Sequence, residues 1–230
     1  MLLLSFETSA KAASVALTDG TRLLGEAYQN TGMTHSQTLM VMAEDLLKQC
    51  GKTAADVTDV AVAAGPGSFT GVRIGVAAAK GFAWGKEIPC WGVSTLEAMA
   101  LSLGIFEGYV VCAMDARRSQ VYNAIFEAKN GELTRISEDR AISIEDLGKE
   151  LEALEGPKYV VGDGAELCHR SLTGLILPPE HRRHQRAVGV GLAAMKKMAA
   201  GETADAAALA PNYLRLSQAE RERMEKEKNT

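Results

Sequence analysis

Gly65-Pro66-Gly67-Ser68-Phe69-Thr70-Gly71-Val72-Arg73-Ile74-Gly75 follows the apolar run Val60-Ala61-Val62-Ala63-Ala64 and opens a helix-like run that reaches Trp84. Glycines at a strand-to-helix turn let the backbone approach a ligand or another chain closely, and a helix N-terminus offers unpaired N–H groups. That context invites a phosphate-cradle reading. The details resist it: the stretch has neither the Gly-Lys-Ser/Thr ending of a Walker loop nor the G-x-G-x-x-G spacing of a dinucleotide fold.

Upstream, Leu2–Glu7, Ser14–Thr18 and Leu23–Tyr28 read as strands, the last two joined at Asp19-Gly20. A helix follows from His35 to Gln49, with Thr34 as N-cap and Gly51 just past its end. Strand Val60–Ala64, helix Phe69–Trp84 with Gly85 as its stop, strand Cys90–Val93 and helix Thr95–Leu103 complete an order βββαβαβα. Residues 105–230 repeat it. Tyr109–Ala113, Val121–Glu127 and Leu133–Ser137 read as strands, Ser143 opens a helix ending near Leu154, and strand Tyr159–Val161 follows. Helix Ala165–Leu172, strand Leu175–Leu177 and helix Ala187–Ala200 close the series. Two halves of the same order predict a duplicated, two-lobed α/β protein. Residues 1–104 form the first lobe and 105–230 a smaller second one, with the last helix packing back on the first. The charged tail Ser217–Thr230 reads as a solvated helix held by pairs such as Glu222–Lys226.

A 230-residue chain with 47% hydrophobic content fits a globular protein with ample core, and a net charge of −4 argues against broad non-specific binding to nucleic acid or membrane. The start Met1-Leu2-Leu3-Leu4-Ser5-Phe6-Glu7 lacks the cationic flank of a signal peptide and meets a charge too early to span a membrane. Cys50, Cys90, Cys112 and Cys168 are widely spaced without a C-x-x-C pair, which suits free buried thiols in a reducing cytosol better than a disulfide framework.

Between Thr70 and Trp84 the only strongly polar side chains are Arg73 and Lys80, so this helix lacks the full polar face of a surface helix. Gly71, Gly75 and Ala79 at four-residue spacing leave a shallow strip for close approach. The helix before it carries Leu39, Met40, Val41, Met42, Leu46 and Leu47, again too apolar for one buried stripe, and methionine-rich surfaces adapt well to partners. Both helices therefore either contact another protein, the preferred reading, or lie sandwiched between the lobes. Glu7-Thr8-Ser9 closes the first strand where, in a doubled fold, a hairpin can wrap a nucleotide phosphate. His35 at a helix start suits a structural role better than metal binding. His181-Arg182-Arg183-His184-Gln185-Arg186 is the one concentrated basic stretch, a solvated loop before an RNA contact, and too isolated for zinc.

Phe6–Ser9, Thr34–Leu39, Gly65–Gly75, Gly92–Glu97, Met114–Arg118 with Val121-Tyr122, and Pro211–Arg215 together resemble the TsaB (YeaZ) family of bacterial tRNA threonylcarbamoyladenosine (t6A) proteins. The matches run through nearly the whole chain in order, with one departure: the first strand of the family usually ends in Asp where this chain has Glu7. The resemblance implies the ribonuclease-H-like fold of the actin, Hsp70 and sugar-kinase superfamily. It further implies a catalytic paralogue, TsaD, whose metal is held partly by a His-x-x-x-His pair; Thr95 and Met99 stand at those positions here, and neither suits such a metal. This chain is then expected to be a non-catalytic subunit without a metal or cofactor of its own, binding and activating TsaD for modification of adenosine 37 in ANN-decoding tRNAs.

His35, Ser36, Leu39, Met42, Phe69, Val72, Arg73 and Val76 would form the docking surface, which could also pair two copies of the chain. Glu7, Thr8 and Ser9 would be a vestigial nucleotide site. The expected company is a TsaE-type ATPase, ATP or ADP at a subunit junction, and tRNA reached indirectly, in the cytoplasm and away from membranes. The rival readings are an ATPase or small-molecule kinase of the superfamily and, more remotely, a glycoprotease-like metallopeptidase.

Overall fold

A computed structural model describes residues 1–105 and 107–215; the tail read as a solvated helix lies outside the described residues. Strands β1 (Leu2–Glu7), β2 (Ala13–Asp19) and β3 (Arg22–Gln29) run antiparallel, then α1 (His35–Gln49), β4 (Asp59–Gly65), α2 (Phe69–Trp84), β5 (Cys90–Ser94) and α3 (Thr95–Leu103) follow. The second half holds β6 (Gly108–Arg117), β7 (Gln120–Lys129), β8 (Glu132–Arg135), β9 (Arg140–Ser143), α4 (Ile144–Glu152), β10 (Lys158–Val161), α5 (Ala165–Ser171), β11 (Leu175–Ile176), α6 (Glu180–Arg183) and α7 (Ala187–Ala199). The sheets have orders β3-β2-β1-β4-β5 and β8-β7-β6-β10-β11, with β9 added on β7. The two orders superimpose strand for strand, so the duplication read from the sequence is present in the topology.

Alternation along the buried strands separates the layers. Leu2, Leu4 and Phe6 of β1 pack with Leu39, Leu46, Val72 and Val76 of α1 and α2 on the outer face of the first sheet. Leu3, with Ala61, Ala63 and Val93, faces Val190, Ala193 and Ala194 of α7 on the inner face. The second sheet offers Val110, Cys112, Met114 and Phe126 to Leu96, Met99 and Leu103 of α3. Its other face packs under Ile144 and Leu147 of α4 and Cys168 of α5. Five layers result, α/β/α/β/α. The middle layer is exchanged: α3 from the first half covers the second sheet, and α7 from the second half covers the first.

This arrangement corrects the sandwiched-helix alternative for α2. The helices between the sheets are α3 and α7, while α1 and α2 lie outside; residues 206–213 pack along part of α2, and Met40, Val41, Ala77, Gly81 and Trp84 stay exposed. The basic stretch 181–186 is also more ordered than a loop. Arg182 donates to the Leu103 carbonyl (2.8 Å), Arg183 to Glu166 (3.2 Å), and Arg186 to Glu26 (2.5 Å), while His184 meets Glu180 (3.1 Å). The four cysteines are free thiols; burial pushes Cys90 and Cys168 up to about 11, so they stay protonated at neutral pH. No helix among the described residues is long and apolar enough to cross a membrane.

Candidate functional site

The glycine-rich stretch is packed against the turn that follows β1. Ser68 caps α2, its Oγ accepting the Gly71 N–H (3.2 Å). The Ser68 N–H itself donates to the Ser9 carbonyl (2.6 Å), and the Thr8 hydroxyl donates to the Gly71 carbonyl (2.7 Å). A methyl group on Gly67 would lie 2.5 Å from the Ser9 carbonyl oxygen. One on Gly71 would collide with the Thr8 carbonyl, and one on Gly75 with the Thr8 hydroxyl. The four-residue strip is therefore a groove, and its occupant is the chain's own hairpin. The expectation that Gly71 and Gly75 face a partner is corrected: they face inward.

The same contacts decide how far a nucleotide phosphate fits Glu7, Thr8 and Ser9. The two elements that would cradle it, the β1–β2 turn and the start of α2, are bonded to each other. Glu7 is 1% exposed and curls back so that its Oε1 accepts the Ser9 N–H (2.6 Å), leaving Oε2 buried without a partner. It does not line the cleft above it. Burial, the largest cause, raises the Glu7 carboxyl from 4.5 to about 7; its bonds to Ser9 oppose that, and the field of Asp163 adds to it.

A carboxyl with a raised folded-state pKa binds its proton more tightly in the folded chain, so it favours folding where it is protonated and loses that advantage as pH rises from 4.5 through about 7. Glu7→Gln, neutral at every pH, is expected to match the wild type near pH 4.5 and to exceed its stability by roughly 3 kcal/mol at pH 8. Urea unfolding of both proteins across that range measures it; a difference that does not grow with pH would contradict the buried carboxylate.

The cleft between the lobes encloses about 530 Å³. Ser9, Lys11 and Thr70 line one wall, Asp115, Arg117, Tyr122 and Asp163 the other, and Asn212–Arg215 run along its mouth. Arg117, Arg118 and Ser119 at the β6–β7 turn all have positive φ (63°, 56°, 56°), a conformation costly for side chains with a Cβ. Asp115 steadies it by accepting the Arg117 N–H (2.7 Å). Asp163 has no local signal in the sequence and Asp115 enters it only within the Met114–Arg118 stretch; the fold brings the two carboxylates to one wall. Thr95 and Met99 are buried in α3. Among the described residues no group of three or more His, Cys, Asp or Glu side chains is gathered as a metal would require.

The eight residues expected to form a docking surface divide. Leu39, Val72 and Val76 are buried in the first-lobe core, so their side chains are not offered to a partner in this structure. His35 is half-buried, its Nε2 2.8 Å from the Ala10 carbonyl, and Met42 packs partly on the core. Ser36 and Arg73 are exposed. Phe69 stacks on Tyr213 (centroids 4.4 Å apart) with the Arg73 guanidinium 4.0 Å over its ring. The outward face is carried instead by Met40, Val41 (56% exposed), Ala77, Gly81 and Trp84 (76%). The small strip that faces outward is Ala77–Gly81, out of phase with Gly71, Gly75 and Ala79.

The family model described as TsaD, tRNA N6-adenosine threonylcarbamoyltransferase, matches residues 29–223. The tRNA threonylcarbamoyladenosine biosynthesis protein TsaB of Bacillus subtilis (strain 168) is 32% identical over 99% of this chain and 100% of its own. The TsaB protein of Escherichia coli (strain K12) is 36% identical over 71% of this chain and 72% of its own. Among solved structures, YeaZ from Pseudomonas aeruginosa matches with a TM-score of 0.76 and 27% identity, covering 93% of this chain and 99% of that one. An activator of 2-hydroxyisocaproyl-CoA dehydratase from Clostridium difficile shares the fold at a TM-score of 0.51 and 12% identity, over 87% of this chain and 97% of that one.

Proposed function

The chain belongs to the TsaB family, and we propose that it acts as the non-catalytic subunit that docks and activates a TsaD-type paralogue. Its part in tRNA threonylcarbamoyladenosine biosynthesis follows from membership. The observation that carries the docking role is the outer side of α1 and α2. Met40, Val41, Ala77, Gly81 and Trp84 are exposed there, an apolar surface of a kind soluble monomers rarely leave bare. Small side chains at Ala77 and Gly81 let a partner helix approach the α2 backbone closely.

In this reading the reacting groups belong to the paralogue. The inward bonding between Ser9 and Ser68, and between Thr8 and Gly71, supports it, since the elements that would hold a phosphate are spent on each other. Where the paralogue is absent, the same face pairs two copies of this chain. An ATPase of the TsaE type completes the assembly, with ATP or ADP at the junction between subunits, and tRNA is met through the partner in the cytoplasm. Depleting the protein in cells and measuring t6A in bulk tRNA by mass spectrometry tests the role: loss of the modified nucleoside is expected, and unchanged t6A would refute it.

A further inference from the structure

After α7 the chain returns along the first lobe and then crosses to the second. The Lys80 ammonium donates to the carbonyls of Ala207 (3.1 Å) and Leu209 (2.9 Å). The Leu209 side chain fills the space above Gly92, where a methyl group would collide with it. Next, the Asn212 N–H donates to the Ala64 carbonyl (2.6 Å), and the Asn212 carbonyl lies where a Cβ on Gly65 would come within 2.5 Å. Tyr213 stacks on Phe69 and its hydroxyl meets Arg73 Nε (2.7 Å). Two residues later Arg215 Nη1 donates to the Ala116 carbonyl (2.6 Å) in the second lobe.

We propose that residues 207–215 are an internal strap that ties the lobes across the mouth of the cleft and holds the β6–β7 turn in its left-handed conformation. Three features of the molecule support this. The seat is built to receive the strap: Gly92 and Gly65 lack side chains where Leu209 and Asn212 lie. The anchors fall on both lobes, four on the first and Arg215 on the second. The far anchor takes the carbonyl immediately before the three residues of positive φ, Arg117 to Ser119. Two-lobed proteins that open and close around a cleft are usually held shut by what binds between the lobes. Here the chain supplies a bridge between the lobes itself.

Hydrogen–deuterium exchange on the full chain tests the proposal with two variants. Arg215→Ala removes the second-lobe anchor. Tyr213→Ala removes a first-lobe anchor whose ring and hydroxyl contacts are with Phe69 and Arg73, not with the hairpin. Both are expected to raise exchange of the amides of residues 115–122 by roughly tenfold or more, as loss of a hydrogen bond that secures a local structure does. Strand β10 should keep its protection in both. A rise with Arg215→Ala alone would reduce the contact to a local cap and overturn the strap. So would a rise spread evenly over the molecule, or none.

Discussion

Ala77→Arg is expected to abolish co-purification with a TsaD-type partner, weakening binding by more than about 100-fold, while leaving the unfolding temperature within a few degrees of the wild type. The side chain at 77 is exposed on α2, one turn from exposed Arg73 and exposed Gly81. Arg is nearly as good a helix former as Ala, so the free subunit loses little. In a docked face the same change buries a cation, beside a second one at Arg73 and without a carboxylate supplied for it, which costs several kcal/mol. Each 1.4 kcal/mol is about tenfold in affinity, so the two orders of magnitude follow. Isothermal titration with the purified paralogue, alongside a thermal melt, decides it: full affinity would remove α2 from the interface. Charged substitutions at Leu39 or Val72 cannot serve, since both side chains are buried in the core and the fold would fail first.

Gly71 and Gly81 lie in the same helix and should respond to the same substitution with opposite sign. A methyl group at Gly81 meets nothing within 4 Å. Gly81→Ala should therefore stabilise the chain by about 1 kcal/mol, through helix propensity and a less flexible unfolded state. At Gly71 the new atom would collide with the Thr8 carbonyl oxygen, which belongs to the backbone of a buried hairpin and has no rotamer to change. Overpacking of ordinary cores costs roughly 1–3 kcal/mol. With backbone on both sides Gly71→Ala should reach the top of that range, and Gly71→Val should exceed about 4 kcal/mol. For a chain of this size the melting temperature moves by about 2–4 °C per kcal/mol. Differential scanning calorimetry should show Gly81→Ala a few degrees up and Gly71→Ala about 10 °C down. A stabilised Gly71→Ala would mean that the groove is not occupied by the hairpin.

Those two glycines also show what could be read from the chain. The bounds of α1, α2 and α3 agree with the sequence, and local signals mark several of them: Ser68 and Ser94 each accept a backbone N–H at the start of α2 and α3, and Gly51 and Gly104 take left-handed φ just past α1 and α3. The repeated order of strands and helices was legible for the same reason, since period and punctuation are local properties. Small elements without a period, β9 and α6, were not. Glycine spacing in α2 announced a close approach but not its direction, because the helix is apolar all round and gives no phase. Val72 and Val76 of α2, and Leu39 of α1, point into the core, while Met40, Val41, Ala77 and Gly81 hold the outward positions. Pro211–Arg215 stood out as a motif, yet its partners Ala64, Phe69 and Ala116 lie about 100 residues or more away in sequence, where no local pattern reaches.

The exchange of α3 and α7 between the sheets has a consequence for synthesis. The inner face of the first sheet, with Leu3, Ala61, Ala63 and Val93, receives its cover from residues 187–199. A nascent chain that has just completed α3 still lacks that cover. At translation rates of about 5–20 residues per second, the next hundred residues take roughly 5–20 s. Throughout that interval a half-finished lobe presents an uncovered apolar sheet to the crowded interior of the cell. The first lobe is therefore first in the sequence but can be finished only after residues 187–199 have been made.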